Sequence, residues 1–125
     1  MGSAEIYRVV EAVPEVADSL IVDLEYLGRE SYMPLFVVLR AAAVLDDALK
    51  DRIKARIRTD LSARHVPNDV FAIPEVPRTL NGKKLEVPIK RLLLGEALAK
   101  VVNRDSMINP GSLAWFVDFA AQRQR

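Results

Sequence analysis

The chain has 125 residues, half of them hydrophobic and 28% charged, which suits one folded domain and is too short for two. Its 18 lysine and arginine residues nearly balance 17 aspartate and glutamate residues, which argues against a general nucleic-acid-binding protein. The chain has no cysteine and a single histidine, His65. Disulfides, a thiolate nucleophile and a metal site built from several histidines are therefore excluded. No apolar run reaches the roughly 18 residues that span a bilayer and no signal peptide opens the chain, so we expect a cytoplasmic protein without a membrane partner.

The first third of the sequence predicts a helix and a β-hairpin. Ser3 is a candidate N-cap, and the apolar residues after it recur at helical spacing until Pro14 ends the pattern. Residues 16–27 contain the pattern of a half-buried strand, and the continuous apolar run at residues 35–39 predicts an interior strand. The polar residues 28–31 are expected to connect the two strands as a hairpin.

The clearest helix opens at Asp46 and Asp47. Apolar residues recur every four positions and predict one buried face: Leu49, Ile53, Ile57 and Leu61. Three cations with the same spacing form a cationic ridge: Lys50, Lys54 and Arg58. Such charges are typical of a solvated helix surface. Pro67 predicts the end of the helix, and His65 is expected to be a helix-end or loop residue, because no nucleophile or carboxylate pair lies near it in the sequence.

The remaining elements complete an α+β pattern. Residues 70–73 predict a third strand, and residues 88–94 predict a short helix that ends at Gly95. In the tail, apolar residues on one helix face predict an anchor that packs on the domain rather than a binding surface: Leu113, Phe116 and Ala120, with Trp115 and Phe119 beside them. We expect residues 1–125 to form a single domain, with a small three-stranded, largely antiparallel sheet flanked by helices and a helical tail extension over residues 106–125.

A turn followed by two lysines is the most informative feature of the chain. Asn81-Gly82 is a strong turn signal, because both residue types tolerate a positive φ. Lys83 and Lys84 come directly after this turn and are therefore expected at a loop tip. The residues themselves leave two interpretations open: both lysines are solvated, or one of them reaches an anion.

The turn at residues 77–83 and several strings elsewhere in the chain resemble a known family. Residues 77–83, Pro-Arg-Thr-Leu-Asn-Gly-Lys, resemble the P-x-T-x-x-G-K signature of the adenylate-forming enzymes, which include acyl-CoA synthetases, peptide-synthetase adenylation domains and luciferases. Longer strings at residues 4–7, 31–37 and 80–90, together with Trp115-Phe116, resemble the acetoacetyl-CoA synthetase subgroup. The resemblance covers essentially all 125 residues.

The resemblance implies roles for individual residues. Lys83 matches the catalytic lysine that bridges the carboxylate and ATP during adenylation. Gly82 would allow the tight turn and Thr79 would hold the loop, whereas Lys84 has no counterpart and is expected to be a surface neighbour. Arg58 falls where acetyl-CoA synthetase relatives place an arginine near the nucleotide phosphate of coenzyme A. Many relatives have basic residues after the lysine, where this chain has Leu85-Glu86.

The resemblance also implies partners. The chain would be the mobile C-terminal lid of a longer ligase whose N-terminal adenylation domain is absent from the sequence. Acetoacetate and the co-substrates ATP and coenzyme A would meet at the interdomain site, and Mg²⁺ is expected on the missing domain. We expect no metal site and no bound cofactor on this chain, and no activity from it alone.

Two alternatives come from other classes of protein. The chain could be a stand-alone module that binds an anion or a nucleic acid through Lys83, Lys84 and the cationic ridge. Its near-neutral charge and the absence of aromatic residues between the cations argue against this hypothesis. It could also be a non-catalytic regulatory domain, controlled by a lysine acyltransferase and deacylase that act on Lys83.

Overall fold

A three-stranded sheet lies between two layers of helices. The computed structural model describes residues 3–24 and 32–123. The elements follow the predicted order: α1 (Ser3–Glu11), β1 (Val16–Ile21), β2 (Pro34–Leu39), α2 (Asp47–Asp60), β3 (Asp69–Ala72), α3 (Glu86–Leu93), α4 (Leu98–Val101) and α5 (Leu113–Arg123). Short 3₁₀ turns lie at Ala63–His65, Arg104–Ser106 and Pro110–Ser112.

The sheet has the strand order β1-β2-β3 and is mixed. β1 pairs antiparallel with β2, which confirms the predicted hairpin, although its connection at residues 28–31 lies outside the described residues. β3 pairs parallel with β2, so the largely antiparallel sheet that we expected is antiparallel on one side only. The reason is the connection: α2 carries the chain back along the sheet before β3 begins, as a parallel pair requires. The α+β class and the number of strands are as predicted.

Alternation along β2 divides the core into two clusters. Leu35 and Val37 face the layer of α1 and α2, whereas Phe36 faces the layer of α3 and α5. This is the period of two that a strand buried on both faces requires. Both clusters consist of aliphatic and aromatic side chains, so the sheet is buried on both faces.

α2 confirms the strongest pattern in the sequence. Asp46 is its N-cap and accepts a hydrogen bond from the Leu49 amide at 2.9 Å, which satisfies one of the free donors at the start of the helix. The predicted face is buried at Leu49, Ile53 and Ile57. His65 follows the helix in a 3₁₀ turn, with its Nδ1 2.7 Å from the Ser62 hydroxyl.

The tail helix packs on the sheet through aromatic rings. Phe116 is fully buried and meets Phe36 of β2 edge-to-face at 5.0 Å, and Phe119 meets Phe71 of β3 at 4.9 Å. Such pairs contribute about 0.5–1.5 kcal/mol beyond their buried area. The predicted anchor is therefore confirmed. Among the described residues no helix is long and apolar enough to cross a membrane.

Candidate functional site: the lysine hairpin

Residues 77–85 form a tight hairpin, here called the lysine hairpin. The Thr79 amide donates to the Lys83 carbonyl at 2.9 Å, and the Leu85 amide donates to the Pro77 carbonyl at 3.0 Å. The turn is closed by the Gly82 amide, which donates to the Thr79 carbonyl at 2.9 Å. The turn therefore runs from Thr79 to Gly82 and ends on a left-handed glycine.

Gly82 alone carries the positive φ of this turn. Its φ is 84°, whereas Asn81 keeps a negative φ. The sequence predicted a turn at Asn81-Gly82 because both residues tolerate positive φ, and the structure needs that tolerance only at the glycine. This arrangement is the three-residue type of hairpin loop, in which a type I turn is followed by a left-handed residue. It places Lys83 immediately after the turn.

The Thr79 side chain ties the two sides of the turn together. Its Oγ1 accepts a hydrogen bond from the Lys83 amide at 3.1 Å. The Thr79 hydroxyl and the Thr79 amide thus both engage Lys83, one at its N–H and the other at its carbonyl. This is the contact that a loop-supporting threonine needs.

Arg78 connects the turn to the body of the domain. One guanidinium nitrogen donates to the Gly82 carbonyl at 2.7 Å and the other donates to Asp18 Oδ2 at 2.7 Å. Asp18 lies on β1, one of the two edge strands, next to a register shift between Val16 and Asp18. Irregularities of this kind redirect side chains at sheet edges. Sequence reasoning missed Arg78, because its partner lies 60 residues away and no local pattern connects the two.

Lys84 is enclosed by the domain rather than solvated. Its Nζ lies 2.7 Å from Glu11 Oε2, 3.4 Å from Asp18 Oδ1 and 3.5 Å from the centre of the Tyr7 ring. The side chain is only 14% exposed. The expectation of a surface neighbour was wrong, because α1 and β1 meet beside the hairpin and present two carboxylates and an aromatic face to this lysine.

Tyr7 extends the same polar cluster towards α3. Its hydroxyl donates to Glu86 Oε2 at 2.9 Å and accepts from the Ile21 amide at 3.2 Å. Burial, and then the neighbouring Glu86 carboxylate, raise the pKa of the Tyr7 phenol well above its usual value near 10. The phenol therefore keeps its proton at neutral pH and acts as a fixed donor in the cluster.

Lys83 lies on the opposite side of the hairpin from this cluster. Its side chain is exposed and makes no hydrogen bond or ion pair with any residue that the structure describes. Leu80, which is 63% exposed, and Asn81 complete the exposed tip. The geometry thus brings Thr79, Gly82 and Lys83 together, with an exposed ammonium group on a hydrogen-bonded backbone.

The comparison with protein families decides where the chain belongs. The model of the AMP-binding enzyme C-terminal domain family matches residues 5–83, which is more than half of the chain and ends on Lys83. The chain belongs to this family.

Among proteins with an AMP-binding C-terminal domain, the chain is similar to acetoacetyl-CoA synthetases in particular. The chain is 38% identical to acetoacetyl-CoA synthetase of Caenorhabditis elegans over 95% of its own length, and 39% identical to that of Gallus gallus over 90%. Among solved structures, it superposes on acetoacetyl-CoA synthetase from Streptomyces lividans with a TM-score of 0.91 and 50% identity over 98% of this chain. An acyl-CoA synthetase from Brucella canis, at 22% identity and a TM-score of 0.63, shares the fold.

The chain is short beside these relatives. It spans 17% of the length of the Caenorhabditis elegans protein and 18% of the Streptomyces lividans structure. In residues 3–24 and 32–123, no group of three or more His, Asp or Glu side chains could hold a metal ion.

Arg58 lies apart from the lysine hairpin in this AMP-binding C-terminal domain. It is exposed on α2, and within the described ranges no hydrogen bond or ion pair joins α2 to residues 77–85. Its neighbour on the cationic ridge, Lys54, donates to the Asn68 carbonyl at 3.4 Å. Arg58 has no partner among the described residues, so its guanidinium group is available to a ligand.

Proposed function

We propose that this chain is the C-terminal domain of an ATP-dependent acetoacetate–CoA ligase, and that Lys83 supplies the cation for its adenylation step. The observation that carries the proposal is the state of Lys83: it is exposed, has no ion-pair partner among the described residues, and is the last residue of the matched family region. Similarity to acetoacetyl-CoA synthetases over nearly the whole chain supports acetoacetate as the acyl substrate.

The proposed chemistry has two steps. A carboxylate oxygen of acetoacetate first attacks the α-phosphorus of ATP, the bond to the β-phosphate breaks, and pyrophosphate leaves. The thiol of coenzyme A then gives up its proton to the solvent and attacks the acyl carbonyl, and AMP leaves with the electrons of the acyl–phosphate bond. The first step brings two negatively charged groups together, so a cation that contacts both orients the reactants and offsets the charge that develops.

Lys83 suits this role because of the chemistry of its side chain and because its backbone is held in place. An ammonium group is a compact charge on a flexible stem, able to contact oxygens of two reactants. Thr79 and Arg78 fix the backbone beneath it. Because Arg78 and Lys84 join that backbone to β1 and α1, Lys83 would move as one body with the domain, which a rotation between the two half-reactions requires.

The remaining substrates and partners follow from this proposal. ATP, acetoacetate and Mg²⁺ would bind mainly to an N-terminal adenylation domain, which we propose as the partner of this chain. Arg58, exposed on α2, would contact the nucleotide phosphate of coenzyme A in the second step. A cytoplasmic location stays a prediction of the sequence.

The exposure of Lys83 also favours control by acylation. An acyltransferase can reach only a lysine that is accessible, and acylation removes the positive charge. We therefore propose that a lysine acyltransferase and deacylase would switch the adenylation step through this residue. The binding-module alternative is weaker, because Lys84 is already neutralised by Glu11 and Asp18.

A chimeric enzyme tests the proposal. This chain replaces the corresponding segment of the Streptomyces lividans acetoacetyl-CoA synthetase, to which it is 50% identical, and acetoacetate-dependent exchange between ATP and pyrophosphate is measured. Lys83→Ala is expected to lower the exchange rate about 100- to 1,000-fold, as for other groups that stabilise transition-state charge. Lys100→Ala, at an exposed lysine of α4, is the matched control. Unchanged exchange in the Lys83 variant would refute the assignment.

A further inference from the structure

The strand that leads into the lysine hairpin is paired on both sides. On one side it pairs with the returning strand, as described above. On the other side it pairs with residues 106–109, here called the buttress segment. The Leu80 amide donates to the Ser106 carbonyl at 3.0 Å, and the Ile108 amide donates to the Arg78 carbonyl at 3.2 Å. The two strands of the lysine hairpin and the buttress segment thus form a small three-stranded ribbon, in which residues 78–80 are the central strand.

Asn109 continues this pairing with its side chain. Its Oδ1 accepts a hydrogen bond from the Arg78 amide at 3.0 Å, and its Nδ2 donates to the Val76 carbonyl at 2.8 Å. A primary amide is one of the few side chains that offer both an acceptor and a donor in this geometry. Asn109 therefore takes the place of a backbone peptide unit beside residues 76–78.

The core of the domain holds Asn109 in place. Its carbonyl accepts hydrogen bonds from the Ser112 amide at 3.0 Å and the Ser112 hydroxyl at 2.6 Å, and Ser112 is 2% exposed. Met107 before it and Leu113 after it are buried in the same cluster as Phe116. The buttress segment is consequently fixed by the anchor that α5 forms on the sheet.

We propose that Asn109 is a positioning residue for Lys83. It fixes the Arg78 backbone, the Arg78 guanidinium group holds the Gly82 carbonyl at 2.7 Å, and the next residue is Lys83. This inference rests on the proposed role of Lys83 in adenylation. It also assigns a task to the tail, because the buttress segment lies beyond residue 83, where the family match ends.

Amide hydrogen exchange on this chain tests, without reference to activity, whether Asn109 holds the backbone of the hairpin. Asn109→Ala is expected to speed exchange at the Arg78, Thr79 and Leu80 amides about five- to tenfold, the effect of losing one ordinary hydrogen bond. Asn103→Ala is the matched control: its side chain accepts from the Asp105 amide at 3.0 Å, just before the buttress segment, and among the described residues it makes no hydrogen bond to the hairpin. Equal exchange rates in the two variants would overturn the proposal.

Separate assays of the two half-reactions in the chimeric enzyme test the functional part. Asn109→Ala is expected to lower kcat for ATP–pyrophosphate exchange about tenfold, since a small misplacement of a catalytic group is costly. Thioester formation from preformed acetoacetyl-adenylate and coenzyme A should not change, because it does not use Lys83. A purely structural defect would slow both half-reactions together, and that outcome would also overturn the proposal.

Two comparisons keep this test separate from that of the proposed function. If Lys83→Ala leaves exchange intact, the role of Lys83 fails; if Lys83→Ala is slow and Asn109→Ala is not, the inference about Asn109 fails. Asn109→Asp is the second variant if Asn109→Ala does not fold. It keeps the acceptor for the Arg78 amide but sets a carboxylate oxygen, in place of the amide donor, against the Val76 carbonyl, so the same split between half-reactions is expected.

Discussion

The two adjacent lysines of the lysine hairpin, one at its tip and one at its base, lie in opposite environments. Lys83 at the tip is exposed and has no partner among the described residues, whereas Lys84 at the base is 14% exposed and lies against Glu11, Asp18 and the Tyr7 ring. Neighbouring side chains of an extended strand point to opposite sides, so one lysine faces the domain and the other faces outwards. A single strand thereby provides both an anchor and a free cation.

The difference teaches how a loop residue can be positioned without rigid contacts of its own. The backbone of the hairpin is held at Arg78, Thr79 and Lys84, while the Lys83 side chain keeps its freedom. In the proposed role the ammonium group contacts both substrates of the adenylation step, and a fixed backbone beneath a flexible side chain suits that task. The following variants separate the two regions.

Lys84→Met is expected to have the largest effect on stability. Methionine is similar in length but leaves the Glu11 carboxylate without a cation and leaves Asp18 paired with Arg78 alone, which should lower the free energy of unfolding by about 1–3 kcal/mol. Urea denaturation measures the change. The same substitution at the neighbouring residue, Lys83→Met, should stay within about 0.5 kcal/mol, as for most exposed positions.

A double-mutant cycle sharpens this comparison. If Lys84 acts through Glu11, then Glu11→Gln in the Lys84→Met background should recover part of the loss, with a coupling of about 0.5–3 kcal/mol. Equal unfolding free energies for Lys83→Met and Lys84→Met would show that the base of the hairpin is no more fixed than its tip.

Gly82→Ala tests the turn that separates the two regions. An added methyl group would meet nothing within 4 Å, but φ at this position is 84°, so the cost comes from the left-handed backbone alone and should be about 1–2 kcal/mol. Gly111→Ala is the matched control, because that glycine also has open space and lies outside the left-handed region. Thermal unfolding of both variants decides the point, and a Gly82→Ala protein as stable as Gly111→Ala would contradict the assigned turn.

Arg58→Ala should have the smallest effect on stability, because this arginine has no partner among the described residues. In the chimeric enzyme we expect the Michaelis constant for coenzyme A to rise about tenfold, from the loss of one hydrogen bond to a charged group. Arg56→Ala, which removes only an exposed pair with Asp60 at 3.5 Å, should leave that constant unchanged. If both variants behave alike, the contact between Arg58 and coenzyme A should be abandoned.

Patterns of local origin were predictable from the sequence. The spacing of Leu49, Ile53 and Ile57 predicted α2, and the apolar face of the tail predicted the anchor of α5, because helical periodicity and burial are both written in neighbouring residues. The resemblance of residues 77–83 singled out Lys83 for the same reason, because a sequence motif consists of neighbouring residues.

The remaining features depend on residues that are distant in sequence. Arg78 pairs with Asp18 across 60 residues and Lys84 pairs with Glu11 across 73, so no window of sequence shows either contact. The parallel direction of β3 depended on the route of α2 across the sheet, and the buttress segment pairs with hairpin residues that lie about 30 positions earlier in the chain.

The sequence by itself therefore determined the α+β class, the order of the elements and the turn that carries Lys83. Only the tertiary structure decided which of two identical neighbouring side chains is free. The physical reason is that exposure and charge compensation are properties of the surroundings: Glu11, Asp18 and Tyr7 surround Lys84, and none of the described residues pairs with the Lys83 side chain.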